Sequence, residues 1–464
     1  SAPAKAGVFQ ASVHPEIYYS SVPFPRADRS PSSACTTTMT TTSHPVPISL
    51  NKVPSNDIYG RRTGSPGEEA RIRSLANTED DLGRALGNPK IDRLARILDS
   101  VPRRQYVKQA TPIESMENLT QLLGGAELFI KRDDLLPLAG GGSKTRKLEY
   151  LVQAAIDEGA DILVTCGAVQ SNHCRLTASA AAREGIDCHL ILEERIPGSY
   201  KPDAGGNNYA FALLGATTSV VAEGGVPEEE ARIIAKLRAE GRRPFLVPGG
   251  GSNELGSLGY ARAALEVVQW TRDHGAFDAI VLCSGSGGTH AGMLAGLRAA
   301  GDHTPVIGIS TRAAADAQAR KIHGLSTRTS ASLGEGDIPS DHVIVRDAYV
   351  GPGYSLPTDE MAEAIQLFAR RESIFLDPVY TGKAAAGLID LVRSGELGLG
   401  KRVLFLHTGG APSLFHYQTL PDDVPADEAA PAKPLGLHFD SLRVSRDEMS
   451  AIYGRYVVDE AGSS

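Results

Sequence analysis

DILVTCGAVQSNHCRLTASAAAREGIDCHLILEE, residues 161–194, decides the fold. DILVTCG (161–167) is a short continuous apolar run with β-branched residues, the pattern of a strand buried on both faces. A helix follows from about His173 to Glu184, and CHLILEE then reads as a second buried strand. Strand, crossover helix and strand make a βαβ unit, which implies a parallel sheet with right-handed connections.

The alternation runs through much of the chain. Upstream, FIKRD is a strand, and Ser143 is placed to cap a helix carrying Leu148, Leu151, Val152, Ala155 and Ile156 at the 3.6-residue period, with Gly159 at its end. Downstream, RPFLVPG, AIVLCSG, PVIGIS, SIFLD and RVLFL read as strands. LGSLGYARAALEVVQWTRDHG, THAGMLAGLRAA and GKAAAGLIDLV read as helices between them. The fold class is α/β, and no 20–50-residue repeat interrupts it.

Residues 1–60 differ. They contain TTTMTTTSHP with many Ser and Pro, and read as a disordered or extended arm. The chain starts SAPAK without Met, and its Ser/Thr-rich beginning leaves an organelle transit peptide as the alternative to a cytoplasmic protein. Residues 67–100 carry helical periodicity through Ile91, Leu94, Ile97 and Leu98. Residues 418–464 form a tail with one short helical pattern, SRDEMSAIYGRYV.

Composition narrows the function. Of 464 residues, 41% are hydrophobic and 22% charged, as expected of a globular chain, and no apolar run reaches the roughly 20 residues of a membrane helix. The formal net charge of -8 and the lack of Lys/Arg blocks argue against nucleic acid. Five cysteines without C-x-x-C argue against a disulfide framework or a zinc site, so no metal is expected.

In an open parallel sheet, ligands bind beyond the carboxyl ends of the strands. Four unusual loops share that address: AVQSNH, GSGGTHAG, DPVYTGK and HTGG. GSGGT, 285–289, opens a helix with small residues and fits a single phosphate, or a plain glycine turn. Lys144 sits in GGGSKT, which is not a P-loop because Ser143 replaces the required glycine. A lysine near a helix start is disposed to be a neutral, Schiff-base-forming amine, or else belongs to a solvated basic turn with Arg132, Arg146 and Lys147. Ser171 or Asn172 in QSNH could simply cap a helix, and Tyr354 and Tyr380 could simply pack. Taken together, a lysine, a one-phosphate cradle and polar groups at neighbouring strand ends match pyridoxal phosphate (PLP).

GGGSKTRKLEYL, QSNHCRLTA, GSGGTHAG, DPVYTGKAAAGL and LFLHTGGAPSLF occur in an order that resembles the D-cysteine desulfhydrase and 1-aminocyclopropane-1-carboxylate (ACC) deaminase family. The resemblance covers residues from about 100 to 417. These are fold type II PLP enzymes, related to the tryptophan synthase β subunit. It implies two open parallel-sheet α/β domains with the cofactor between them. The larger would be 61–146 plus 257–417, the smaller 147–256, and the assembly a homodimer.

The resemblance also implies roles. Lys144 would hold the cofactor and move the Cα proton. Asn172 would bond the cofactor's phenolic oxygen, and Ser286, Gly287, Gly288 and Thr289 its phosphate. Ser171, Asn172, His173 and Thr408 would meet the substrate, with Tyr354 and Tyr380 beside it. The family's GGNK is GGSK here. Thr381 and Thr408 stand where ACC deaminases carry Glu and Leu, so a neutral hydroxyl replaces the carboxylate that protonates the ring nitrogen. A weaker electron sink favours expulsion of a β leaving group.

The expected reaction is therefore carbon–sulfur β-elimination on a small amino acid, D-cysteine or L-cysteate. EERIPGSY and GGNNYAF lean toward the sulfo-lyase branch, with Arg175 or Arg195 as a sulfonate partner. ACC or another small amino acid deamination, a non-catalytic PLP-binding module, and a nucleotide binder are the alternatives.

Overall fold

The structure, a computed structural model, describes residues 88–417. The expectations for residues 1–60, for 67–87 and for the tail from 418 lie outside the described residues. Numbered within the described part, the elements begin with α1 (Pro89–Ser100), β1 (Ile113–Ser115), α2 (Glu117–Leu123), β2 (Glu127–Lys131), α3 (Lys144–Asp157), β3 (Ile162–Ala168) and α4 (Asn172–Glu184). Then come β4 (Asp187–Glu194), α5 (Asn207–Leu213), β5 (Thr217–Ala222), α6 (Val226–Ala239), β6 (Pro244–Leu246), α7 (Glu254–His274) and β7 (Ala279–Ser284). The chain continues through α8 (Gly288–Ala299), β8 (Val306–Ser310), α9 (Ala315–Ser332), β9 (Ile344–Arg346), α10 (Asp359–Glu372), α11 (Thr381–Arg393), β10 (Arg402–Leu406) and α12 (Ala411–Leu414).

The strands form two sheets. One has six strands in the order β1-β2-β10-β7-β8-β9, the other four in the order β5-β4-β3-β6. β3 and β4 pair in parallel, as the βαβ reading requires. One pairing departs from the all-parallel expectation, since β1 lies antiparallel to β2 at the edge of the larger sheet. SIFLD also departs from it: the segment is extended but joins no ladder. Its Phe375 carbonyl instead accepts from His407 Nε2 at 3.1 Å.

The larger sheet is covered on both faces, which is why its strands read as unbroken apolar runs. In β10, Leu404 and Leu406 enter one core, with α1, α7 and α8. Val403 and Phe405 enter the other, with α10 and α11. In α1 the buried set is Ile91, Leu94 and Leu98, one helical face, each contributing roughly 1.5–3 kcal/mol when fully buried. The smaller sheet packs Leu163, Leu190 and Leu192 against α3, α4 and Phe211, and has only a small cluster around Val164, Ile191 and Ile233 on its other face. Among the described residues, no helix is long and apolar enough to cross a membrane.

Strand order locates the site. In the smaller sheet the chain steps from β3 to β4 to β5 one way, while β6 returns on the far side of β3. In the larger sheet it steps from β7 to β8 to β9, while β10 returns on the far side of β7. Each sheet therefore has a switch point, and a crevice opens beyond the carboxyl ends of such neighbouring strands.

Candidate active site

A cavity of about 470 Å³ lies at these switch points. Gly167, Ala168, Ser171, Asn172 and His173 reach it from the end of β3, and Gly249 and Gly250 from beyond β6. Gly285, Ser286, Gly287 and Thr289 reach it after β7, Thr408 after β10, and Lys144, Tyr354 and Tyr380 complete the wall. The sequence-predicted loops thus meet at one place.

Lys144 opens α3. Burial is the first cause of a lowered Lys144 pKa; Cys283 and Asp377 oppose the shift, and Arg175 adds to it. The amine lies 5.4 Å from the centroid of the Tyr380 ring. Ser143 occupies the position before the helix, but its side chain makes no capping bond, contrary to the sequence expectation. α3 is instead anchored from below. Arg146 bonds both oxygens of Asp133 (2.8 and 2.9 Å) and both of Glu266 (2.6 and 2.8 Å). Lys131 joins Glu266 at 2.7 Å and the Tyr260 hydroxyl joins Asp133 at 2.7 Å. Two cations and two carboxylates balance, and α7 approaches closely enough that a Cβ on Gly259 would lie 2.4 Å from the Arg146 carbonyl oxygen.

The solvated basic turn does not form at Lys147, which is buried against the glycine turn at Gly250. Its Nζ donates to the Gly250 carbonyl (3.0 Å) and Ser252 Oγ (3.2 Å). It pairs with no carboxylate among the described residues, and burial first, then the neighbouring Lys144, holds its pKa well below the usual value. Ser252 Oγ also accepts from the Gly288 amide at 3.1 Å and donates to Ser286 Oγ at 2.8 Å. A Cβ on Gly288 would meet Ser252 Oγ at 2.8 Å and Lys147 Nζ at 3.0 Å. A buried lysine amine lacking a counter-charge, beside a glycine cradle at the start of α8, fits one phosphate, whose negative charge would favour its protonation. Spacing held the signal: residues three apart share a helical face, and Lys144 and Lys147 are such a pair. Ser252 had no comparable signal.

Ser171 both lines the cavity and caps α4, its Oγ accepting from the Cys174 amide at 3.1 Å. Asn172 presents its Oδ1 to Asn207 at 2.9 Å. His173 Nε2 meets Thr165 Oγ1 at 2.7 Å, and because that hydroxyl donates to the Val247 carbonyl, Nε2 carries the proton. The Tyr354 and Tyr380 hydroxyls bond each other. Burial raises the pKa of both, so both hold their protons.

Two expectations change. Thr381 is buried away from the cavity wall: its hydroxyl donates to Asp377 Oδ1 and accepts from the Asp377 amide, both at 2.8 Å. Of the two threonines, Thr408 is the one on the wall. Arg175 is no sulfonate partner. Its guanidinium is spent on Asn207 Oδ1 (2.8 Å), the Ala139 carbonyl and the Gly141 carbonyl (3.2 Å). Arg195 does line the cavity, over the Tyr354 ring at 4.3 Å and paired with Glu193 at 2.7 Å.

Residues 105–409 match the family described as Pyridoxal-phosphate dependent enzyme. The chain belongs to this family. It is 41% identical over 327 residues to the D-cysteine desulfhydrase of Yersinia pestis (strain Pestoides F), covering 70% of this chain and 98% of the relative. The D-cysteine desulfhydrase of Serratia proteamaculans (strain 568) has the same identity and coverage. Among solved structures, one described as an ACC deaminase homologue is 37% identical with a TM-score of 0.64, covering 70% of this chain and 97% of its own. The cofactor is PLP and the architecture is that of fold type II. The cavity wall fits the cofactor: Lys144 would meet its aldehyde carbon, Asn172 its phenolic oxygen, and Ser286, Gly287 and Thr289 its phosphate, with Lys147 behind them and the Gly288 amide held by Ser252 Oγ.

Proposed function

We propose that this protein is a PLP-dependent lyase converting D-cysteine and water to pyruvate, ammonia and sulfide. The observation that carries the reading is the absence of a free carboxylate on the cavity wall. Glu193 is the one carboxylate lining it among the described residues, and Arg195 holds that group. Asp377 lies behind the wall with its oxygens taken by the Val379, Tyr380 and Thr381 amides and the Thr381 hydroxyl. Thr408 offers the ring a neutral hydroxyl, which supports elimination over ring opening.

Bound at Lys144, the cofactor supplies an electron sink conjugated with the substrate's α-nitrogen. The chain supplies the proton transfers and the orientation. The N-terminus of α4, with Ser171 and Asn172 on the wall, favours the substrate carboxylate. Lys144 Nζ would remove the Cα proton; burial lowers its pKa and keeps a neutral amine accessible for that step. The Cβ–S bond then breaks with its electron pair on sulfur. Tyr380 and Tyr354 hold their protons on the cavity wall and would deliver one to sulfur. Water completes hydrolysis of the three-carbon fragment to pyruvate and ammonia.

A second reading, L-cysteate to sulfite, rests on a different observation. Arg195, Arg312 and Lys321 all line the cavity, more cations than one substrate carboxylate requires. Separate incubations with D-cysteine, L-cysteine, L-cysteate and ACC discriminate the readings. Sulfide with pyruvate from D-cysteine supports the proposal, and sulfite from L-cysteate replaces it with the second reading. 2-Oxobutyrate from ACC, without product from the others, overturns both.

A further inference from the structure

We propose that Asn207 is a positioning residue that fixes which end of the Asn172 amide faces the cofactor, and that Arg175 fixes Asn207 in turn. The inference rests on the reading of Asn172 as the partner of the phenolic oxygen. Asn207 belongs to GGNNYAF, a segment that the sequence gives no part in cofactor binding, and it is fully buried at the start of α5.

Hydrogen-bond bookkeeping assigns the orientation twice. Arg175 Nε can only donate, so the Asn207 atom 2.8 Å away is its oxygen. The Gln170 carbonyl can only accept, so the Asn207 atom 2.8 Å from it is its nitrogen. The two anchors agree, which removes the usual ambiguity of an amide side chain. The same Nδ2 also reaches Asn172 at 2.9 Å, so Asn172 must turn its Oδ1 inward. Its Nδ2 is left on the cavity side, with no partner among the described residues. A donor there stabilises a phenolate oxygen, whereas a carbonyl in its place would repel it.

The relay is rigid. The Asn207 amide donates to Gln170 Oε1 at 2.9 Å, and Gln170 Nε2 donates to Asn208 Oδ1 at 2.6 Å. Arg175 also holds the Ala139 and Gly141 carbonyls, in the glycine turn that leads to Lys144. One guanidinium therefore sets the lysine turn and the amide relay together.

Asn207→Asp tests this, because the carboxylate keeps the size and the Arg175 contact but cannot donate. Asn172 is then expected to reverse, giving its Nδ2 to Asp and its carbonyl to the cofactor. PLP titrated into apoprotein, followed by its visible band, reports the result without turnover. Asn172→Ala and Asn207→Asp are each expected to raise the PLP dissociation constant about tenfold or more. In the Asn172→Ala background, Asn207→Asp is expected to add nothing, since it acts only through Asn172. An unaltered dissociation constant and band in Asn172→Ala overturns the reading of Asn172 itself. An effect of Asn172→Ala without one of Asn207→Asp overturns the relay alone, and so does an additive double variant. The unfolding temperature of each apoprotein checks the fold; if the carboxylate lowers it, Asn207→Ala completes the same cycle.

Discussion

Lys147 tests the phosphate assignment at the scale of one residue. It is buried beside Gly288 with two neutral acceptors and no carboxylate. Lys147→Met keeps the stem and removes the charge; it is expected to weaken PLP binding by roughly tenfold to a hundredfold, the worth of a charge-assisted hydrogen bond. The apoprotein should be no less stable, because a buried amine without a counter-charge has been removed. Absorbance titration and thermal unfolding measure the two effects. Borohydride reduction of the loaded protein followed by peptide mapping should place the cofactor on Lys144 and on no other lysine. Residues of this kind were legible where loop chemistry is local, as with Lys144 and the GSGGT cradle. Thr381 and Arg175 were misread because their partners are set by a turn and by a distant backbone carbonyl. A pH effect belongs here too. Burial holds His173 down at about 3 and His290 at about 4, against roughly 6.5 in an unfolded chain. Below pH 6.5 the unfolded chain takes up protons that the fold refuses. Stability is therefore expected to fall as pH drops from 6.5 toward 4, and His290→Gln should flatten that slope by up to about 1.4 kcal/mol per pH unit in urea unfolding.

At the scale of elements, α3 carries Lys144 and its orientation depends on the buried set of Asp133, Arg146, Glu266 and Lys131. Arg146 first and Lys131 next hold the Asp133 carboxyl down at about 2 despite its burial. Asp133→Asn leaves Arg146 and Lys131 facing one carboxylate, and is expected to cost about 3–5 kcal/mol in urea unfolding. The elements around this set were readable from sequence, because α3 and α7 repeat apolar residues at the helical period and β7 and β10 are unbroken apolar runs. β5 and α6 escaped notice. The strand TTSVVA is short with no buried residue, and among the residues of α6 only Ile233 is buried. SIFLD misled in the other direction: Ile374 and Leu376 are buried and Phe375 exposed, the alternation of a strand, yet the segment has no strand beside it.

Across the whole molecule, the cavity exists because two sheets, each with its own switch point, bring their carboxyl ends together. The family match, 105–409, falls within the described residues. A chain of residues 88–417 is accordingly expected to retain cofactor binding and turnover, measured against the full chain. We further propose that the protein is a homodimer. Sedimentation equilibrium would then give twice the 49.0 kDa of one chain. The central claim is the reaction itself. Its most direct test is the product ratio from D-cysteine with the PLP-loaded enzyme, alongside Lys144→Ala. The expected result is pyruvate and sulfide in equal amounts from the wild type and neither from the variant. Equal turnover by the variant, or no sulfide from the wild type while ACC yields 2-oxobutyrate, would contradict it.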